Sequence, residues 1–409
     1  MRRRLAAAAA AAAMVCLGPG ADALQAADAC RGETPTIVGG DGSDHLYGTP
    51  GDDVIDARGG DDVVEARGGR DVVCGRGGRD VVRGGGGDDR IAGNAGRDAV
   101  AGDDGDDFVY GNGGDDEVDG LDGDDYLVGG PDDDRVAGHS GNDALDGDCF
   151  TDGTFPSYCG SGGDDTLLGG PGNDFGSGAN GNDTVWAGSG NDGFSGEPGV
   201  DAIHAGPGTD YANAELVYGG PGDDDLGDDQ DGRPRAVALF GGDGNDSLWV
   251  TYSESGDRLS GGPGDDFLYG DDGANRYWGG PGRDRMMTGP HDEIVVGGRG
   301  RDVLGFGPRY IGGGAVIDLA RGLVRGEGWG EDRVSGVESA WGTFGPDVMI
   351  GDARWNVFLG RRGADRMSGR GGDDVLDGGR GDDVIYGGGG RDACRDGRMS
   401  GCETEPDWS

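Results

Sequence analysis

One aliphatic residue returns every nine positions from Leu46: Leu46, Ile55, Val64, Val73, Val82, Ile91, Val100, Val109, Val118, Leu127, Val136 and Leu145. Between these positions the chain is mostly polar or glycine. Glycine fills the fourth position of each nine-residue unit from Gly39 to Asp146, except at Asp132. A short strand is expected at each aliphatic, with that side chain turned inward and the glycines in turns. Twelve such units in unbroken register predict a solenoid, in which each coil completes its core only by stacking on its neighbours.

The sixth position is always acidic. It reads Asp44, Asp53, Asp62, Asp71, Asp80, Asp89, Asp98, Asp107, Asp116, Asp125, Asp134 and Asp143. Glycines at positions one, two and four are expected to permit positive φ and curl carbonyls toward one point. Stacked coils lie about 4.8 Å apart, so Asp44 is expected near Asp62 and Asp53 near Asp71. Carboxylates so placed repel by roughly 1 kcal/mol per pair in water. A divalent cation reverses that sign, and calcium accepts six to eight oxygen ligands of this kind. The plainer alternative is that Asp-Gly pairs only make tight turns.

The nonapeptide GGxGxDxUx, with U aliphatic, resembles the RTX (repeats-in-toxin) calcium-binding family. The resemblance implies an all-β fold, a parallel β-roll in several stacked blocks, with multiple calcium ions held between successive coils. A second block, Gly160 to Asn213, carries Asp165, Asp174, Asp183, Asp192, Asp201 and Asp210, with a looser aliphatic position that includes Gly176 and Phe194. Single units carry Asp224 and Asp246, and Gly261 to Gly305 carries Asp266, Asn275, Asp284, Glu293 and Asp302. A last block, Gly342 to Arg395, carries Asp347, Asn356, Asp365, Asp374, Asp383 and Asp392. The expected ligands are the aspartates of the first two blocks with Asp266, Asp284, Asp365, Asp374, Asp383 and Asp392. Asn275 and Glu293 depart from the pattern, as does His291 at a glycine position, which puts calcium there in doubt.

The expected organisation follows: a secretory signal over 1–29, a first block with its cap over 30–146, and a disulfide-closed insertion over 147–159. An interrupted second block covers 160–305, metal-poor spacer coils 306–341, and a third block with its cap 342–409. The signal reading rests on Arg2, Arg3 and Arg4 followed by an apolar run to Leu17, too short to span a membrane. Ala21-Asp22-Ala23 and Ala27-Asp28-Ala29 are the two candidate cleavage sites. Acylation of Cys30 is an alternative, although Ala27 stands where a lipobox has Leu. The closing Glu403 to Ser409 does not resemble the C-terminal secretion signal of most of the family. Secretion to the extracellular space or cell surface is the expectation.

Charge narrows the partners. Acids outnumber bases 79 to 34, and a net charge of −45 argues against nucleic acid and anionic membranes and favours metal cations. Such acidity with few apolar residues reads as disorder unless a cation is present, and only the register overrides it. The cysteines left after signal removal suit an oxidising compartment. Cys149 with Cys159, Cys394 with Cys402, and Cys30 with Cys74 are the expected bridges, the last two acting as caps. No CxxC spacing supports a cysteine metal site.

No enzyme is expected. His45, His139, His204 and His291 are scattered, without HExxH spacing, and there is no GxSxG elbow. The gaps between blocks are too short for a catalytic domain, and paired carboxylates such as Asp61-Asp62 belong to the repeat. The alternative function is an adhesin-like module for carbohydrate or a cell-surface partner. Tyr47, Tyr110, Trp186, Trp249, Tyr269, Trp278 and Tyr386 at the ninth position suggest it, but they are spread over separate blocks. Rim packing is the expectation for them. Thr is too rare in the turns for ice binding. A monomer is expected.

Overall fold

A computed structural model describes residues 32–148, 162–228, 235–251, 256–270, 273–307, 312–326 and 330–402. Every regular element among them is a β-strand. The strands fall into two compact units, 1–220 and 221–409.

In the first unit, alternate strands build two parallel sheets. Val64 pairs with Val82 in one, and Val73 pairs with Ile91 and then Val109 in the other. Partners are eighteen residues apart, so two nonapeptides make one coil. Only the middle residue of each three-residue strand segment points inward. Ile55, Val64, Val73, Val82, Ile91, Val109, Val118 and Leu127 are wholly buried.

Two departures in length leave this register intact. Val136 pairs with Leu167, thirty-one residues on, so the insertion interrupts the sequence but not the stack. Ile203 pairs with Val217, a coil four residues short of the usual eighteen. The loose core positions of the second block also have a packing reason. Gly176 lies between Leu145 and Phe194, and a Cβ there would overlap the Leu145 carbonyl oxygen and press on the Phe194 ring.

The glycines divide by cause. Position four has positive φ, as at Gly60, Gly78, Gly96 and Gly114 (φ 118–145°). A Cβ at Gly78, Gly96 or Gly114 would also overlap the carbonyl oxygen of the equivalent residue one coil earlier. Position two has positive φ but admits Arg58, Arg67, Arg76, Asn94, Asp103, Asn112, Leu121 and His139 (φ 74–87°). Position one does not take positive φ, contrary to expectation. It is glycine because the aspartate five residues on folds beneath it: a Cβ at Gly102 would overlap Asp107 Oδ2.

The second unit repeats the plan with a bulkier core, in which Tyr277, Met286, Phe358 and Met349 are wholly buried. Its spacer differs from the expected run of coils. Ala315–Asp318 pairs antiparallel with Leu323–Gly326, which pairs antiparallel with Glu331–Ser335. A tight turn reverses the chain there. Arg321 N–H donates to the carbonyl and carboxylate of Asp318 (3.2 and 3.1 Å), and Gly322 takes φ 66°. Parallel stacking holds on both sides, through Val295 with Val334 and Ile317 with Met349.

Cys394 is paired with Cys402 beside the last strands (Cα–Cα 5.9 Å), and Cys74 is disulfide-bonded. Cys30 and the expected Cys149–Cys159 bridge lie outside the described residues, as do the expected signal segment and most of the insertion.

Candidate metal centres

The turns between strands bring the aspartates into two continuous rows per unit. Each backbone N–H at the sixth position donates to the carboxylate one coil further on. In one row Asp44 donates to Asp62 (2.7 Å), Asp62 to Asp80 (2.9 Å), Asp80 to Asp98 (2.8 Å), Asp98 to Asp116 (2.8 Å) and Asp116 to Asp134 (2.7 Å). It continues across the insertion from Asp134 to Asp165 and on through Asp183 to Asp201, each at 2.8 Å. The other row runs Asp53, Asp71, Asp89, Asp107, Asp125, Asp143, Asp174, Asp192 and Asp210, at 2.7 to 2.9 Å. In the second unit Asp266 joins Asp284, Asp365 joins Asp383, and Asp374 joins Asp392.

These bonds use one oxygen, Oδ1. The other, Oδ2, is buried without a hydrogen-bond partner at every aspartate from Asp62 to Asp143 in the two rows. The same holds at Asp165, Asp174, Asp183, Asp192, Asp266, Asp284, Asp365, Asp374, Asp383 and Asp392. A buried carboxylate oxygen facing no donor is costly unless a cation or a proton meets it. Carbonyls supply further oxygens, because those of Gly60, Gly78 and Gly96 project along the stack toward the next coil. Among the described residues no three His, Cys, Asp or Glu side chains converge on one point. A bound ion would therefore take much of its shell from main-chain oxygens. That donor set fits a hard, oxygen-seeking cation such as calcium rather than zinc.

The first two candidates differ from the rest. Asp44 Oδ2 accepts from Gly40 N–H, and Asp53 accepts from Thr49 N–H (2.6 Å) and the Thr36 hydroxyl (3.0 Å). The Thr49 N–H holds Asp53 below the usual carboxylate range. Protein donors meet these carboxylates where the others face none.

Burial raises most of the remaining row. Asp107, Asp165 and Asp183 are pushed up to about 8 and Asp134 to about 9, with neighbouring carboxylates adding to the effect and the N–H from the preceding coil opposing it. Folded values above the unfolded one mean that the ion-free coils are favoured at low pH and lose that favour as pH rises through about 6 to 9. A cation must displace those protons. Calcium affinity is accordingly expected to fall as pH drops from 8 to 6, with protons released on binding. Calorimetry in buffers of differing ionisation enthalpy checks this, and a pH-independent affinity would contradict it.

The rows contain more acids than the expected ligand set. Asp224, Asp246 and Asp302 join the second unit's row. Asp257 stands in that unit's other row: its carboxylate accepts from Val237 N–H (2.9 Å) and its own N–H donates to Asn275 (3.0 Å). Asp257 precedes Asp266 by nine residues and Leu259 precedes Leu268 by nine, so the period marks it even though the unit before it is eroded. Glu215 accepts from Asp201 N–H (3.0 Å), its longer side chain serving the shortened coil. Glu293 N–H donates to Asp332 (3.2 Å), a pairing across thirty-nine residues that no nonapeptide count reveals.

The aromatic residues are less scattered than expected: Trp249 pairs with Tyr269 on the next coil, and the first unit holds a longer ladder. Trp186, His204 and Tyr218 occupy one column on consecutive coils. Their rings stack in parallel, with centroids 3.9 and 4.9 Å apart. His204 and the short coil before Tyr218 concealed this ladder from a search for regularly spaced aromatics.

A model of the RTX calcium-binding nonapeptide repeat matches residues 38–73, 75–109, 92–127, 110–145, 160–175, 177–212, 238–250, 252–286 and 359–393. A search of curated proteins finds no match. The matched segments cover more than half of the chain and fall on the coils whose aspartates form the rows. The chain belongs to the RTX calcium-binding nonapeptide-repeat family.

Proposed function

We propose that this protein is an exported, non-enzymatic β-roll that folds on binding several calcium ions and serves a structural or surface-interaction role. The observation that carries the reading is the row of buried aspartates, each with one oxygen bonded to the neighbouring coil and the other facing no donor. When bound, calcium supplies positive charge to those oxygens. The chain's own contribution is to line them up, exclude water and hold the first oxygen by a backbone N–H. Low calcium keeps the chain unfolded through the cytoplasm and export, and folding follows outside.

Carbohydrate recognition by an aromatic stripe is the competing reading. The Trp186–His204–Tyr218 ladder bears on it, since its rings turn their faces toward one another. Sugar stacking needs faces open to solvent, and this ladder presents mainly edges. A glycan-array screen and a pull-down from cell-envelope fractions, each with and without calcium, separate the readings. Calcium-dependent capture of an envelope component supports a surface-interaction role. Selective glycan binding lost on Trp186→Ala would favour the carbohydrate module.

A further inference from the structure

One sheet face of the second unit carries unpaired positive charge. Arg258, Arg276 and Arg333 form one run of outward residues on it, and Arg366 and Arg398 form another, with the antiparallel strands between them. All five are exposed, and among the described residues none is within ion-pair distance of a carboxylate. The chain has 79 acids, yet from Ala238 to Ser400 the parallel strands of this face place none beside their inward residue. The antiparallel strands bring Asp318 and Glu331, but Asp318 pairs with Arg321 (3.5 Å) and Glu331 stands opposite Arg325. The face runs nine strand spacings from Arg258 to Arg398, about 43 Å. Guanidinium groups bind carboxylates through paired N–H donors, so this face suits an anionic partner.

The first unit has a carboxylate edge with the same repeat. Asp104 and Asp122 pair on adjacent coils. Asp88, Asp106 and Asp124 form a second column, in which Asp106 N–H donates to Asp88 (3.4 Å) and Asp124 N–H to Asp106 (3.0 Å). These bonds use Oδ1 alone. All five carboxylates are exposed, and among the described residues none is in an ion pair. Residues 98–146 around them hold 17 acids and one arginine, which reinforces the negative potential. Both strips are laid out on the coil spacing. Arg258 and Arg276 are one spacing apart, as are Asp104 and Asp122. Arg276 and Arg333 are two apart, as are Asp88 and Asp124. Guanidinium and carboxylate groups therefore stay in register over several coils when one roll lies beside another. An unrelated polyanion has no reason to share that repeat.

We propose that copies of this chain associate, the arginine face of one copy's second unit lying along the Asp88–Asp124 edge of another copy's first unit. The contact rests on the calcium-dependent folding proposed above, because both strips must be ordered to match. Cations in the aspartate rows also reduce the repulsion that a net charge of −45 sets between copies. A single exposed ion pair contributes little, so the association depends on several in register and weakens as salt rises. The contact joins two different surfaces, as in a heterologous assembly.

Sedimentation velocity of the full-length protein in excess calcium tests this, with circular dichroism on the same samples. At least twice the monomer mass is expected in low salt, and monomer alone in high salt. The double variants Arg258→Glu, Arg276→Glu and Asp104→Arg, Asp122→Arg are each expected to weaken association at least tenfold with the strand signal unchanged. Mixing the two is expected to restore it, since each reversed strip then meets a complementary one. A folded wild-type monomer in low salt would overturn the proposal, as would a mixture of the variants that stays monomeric. So would a monomer whose Arg258 and Arg276 capture hyaluronan, a single-stranded oligonucleotide or phosphatidylglycerol vesicles instead. Strand signal and association that both persist in chelator would overturn calcium-dependent folding and leave the contact standing.

Discussion

The chain carrying Val109→Asp is expected to lose the parallel sheets on either side of the substitution, even in saturating calcium. Val109 is wholly buried and stacks between Ile91 and Leu127 in the core column. A carboxylate there meets only aliphatic neighbours, at a cost of about 3–5 kcal/mol for an unpaired buried charge. Loss of the valine's own burial adds about 1.5 kcal/mol or more. Because each coil is held by its neighbours, the damage spreads along the stack.

Two residues away the expectation is different. Asp107→Ala removes the acceptor for Asp89 N–H and an Oδ2 that faces no donor. It is expected to lower the number of calcium ions bound and weaken the local coils, while the rest of the unit stays folded. Hydrogen exchange over Arg90–Ala95 and Tyr126–Val128 in both variants checks the contrast. Small and equal effects from the two changes would mean that the inward and ion-facing positions have been misassigned.

Why was so much of this legible before the structure? A coil of two nonapeptides leaves little freedom. The fourth position favours glycine, with Asp132 the exception in the first block, because the carbonyl of the preceding coil occupies the space of a Cβ at Gly78 and Gly96. The inward residue must be apolar, and the sixth position must be a short acid that reaches back under Gly102 or its equivalent. Each rule acts on one residue at a fixed spacing, so the sequence displays it directly.

What the sequence concealed is set by contacts between distant segments. The antiparallel strands Ala315–Asp318 and Leu323–Gly326 depend on a turn at Asp318 to Gly322 that no repeat announces. Glu293 meets Asp332 only because that excursion returns the chain to the stack. The arginine face is hidden for another reason. Arg258, Arg276, Arg366 and Arg398 sit at the seventh position, where the repeat itself imposes no chemistry. Their likeness emerges only when every second unit is aligned.

Calcium is the largest single influence expected on this molecule. Glycine-rich coils lose more backbone entropy on folding than other sequences, and each unit buries one aliphatic in return. The aspartate rows add mutual repulsion and buried oxygens without donors. An ion that binds the ordered turns and scarcely binds the unfolded chain shifts that balance toward the fold. Extracellular calcium modules work at dissociation constants of about 10⁻⁴–10⁻³ M, so on the proposed export reading folding would respond to the step from cytoplasm to exterior.

The most direct measurement is far-ultraviolet circular dichroism of the reduced-salt, metal-stripped protein at pH 8, titrated with calcium and, separately, with magnesium. A cooperative rise of strand signal with calcium, reversed by chelator and absent with magnesium, is the predicted result. A strand-rich spectrum that persists in excess chelator would contradict the account.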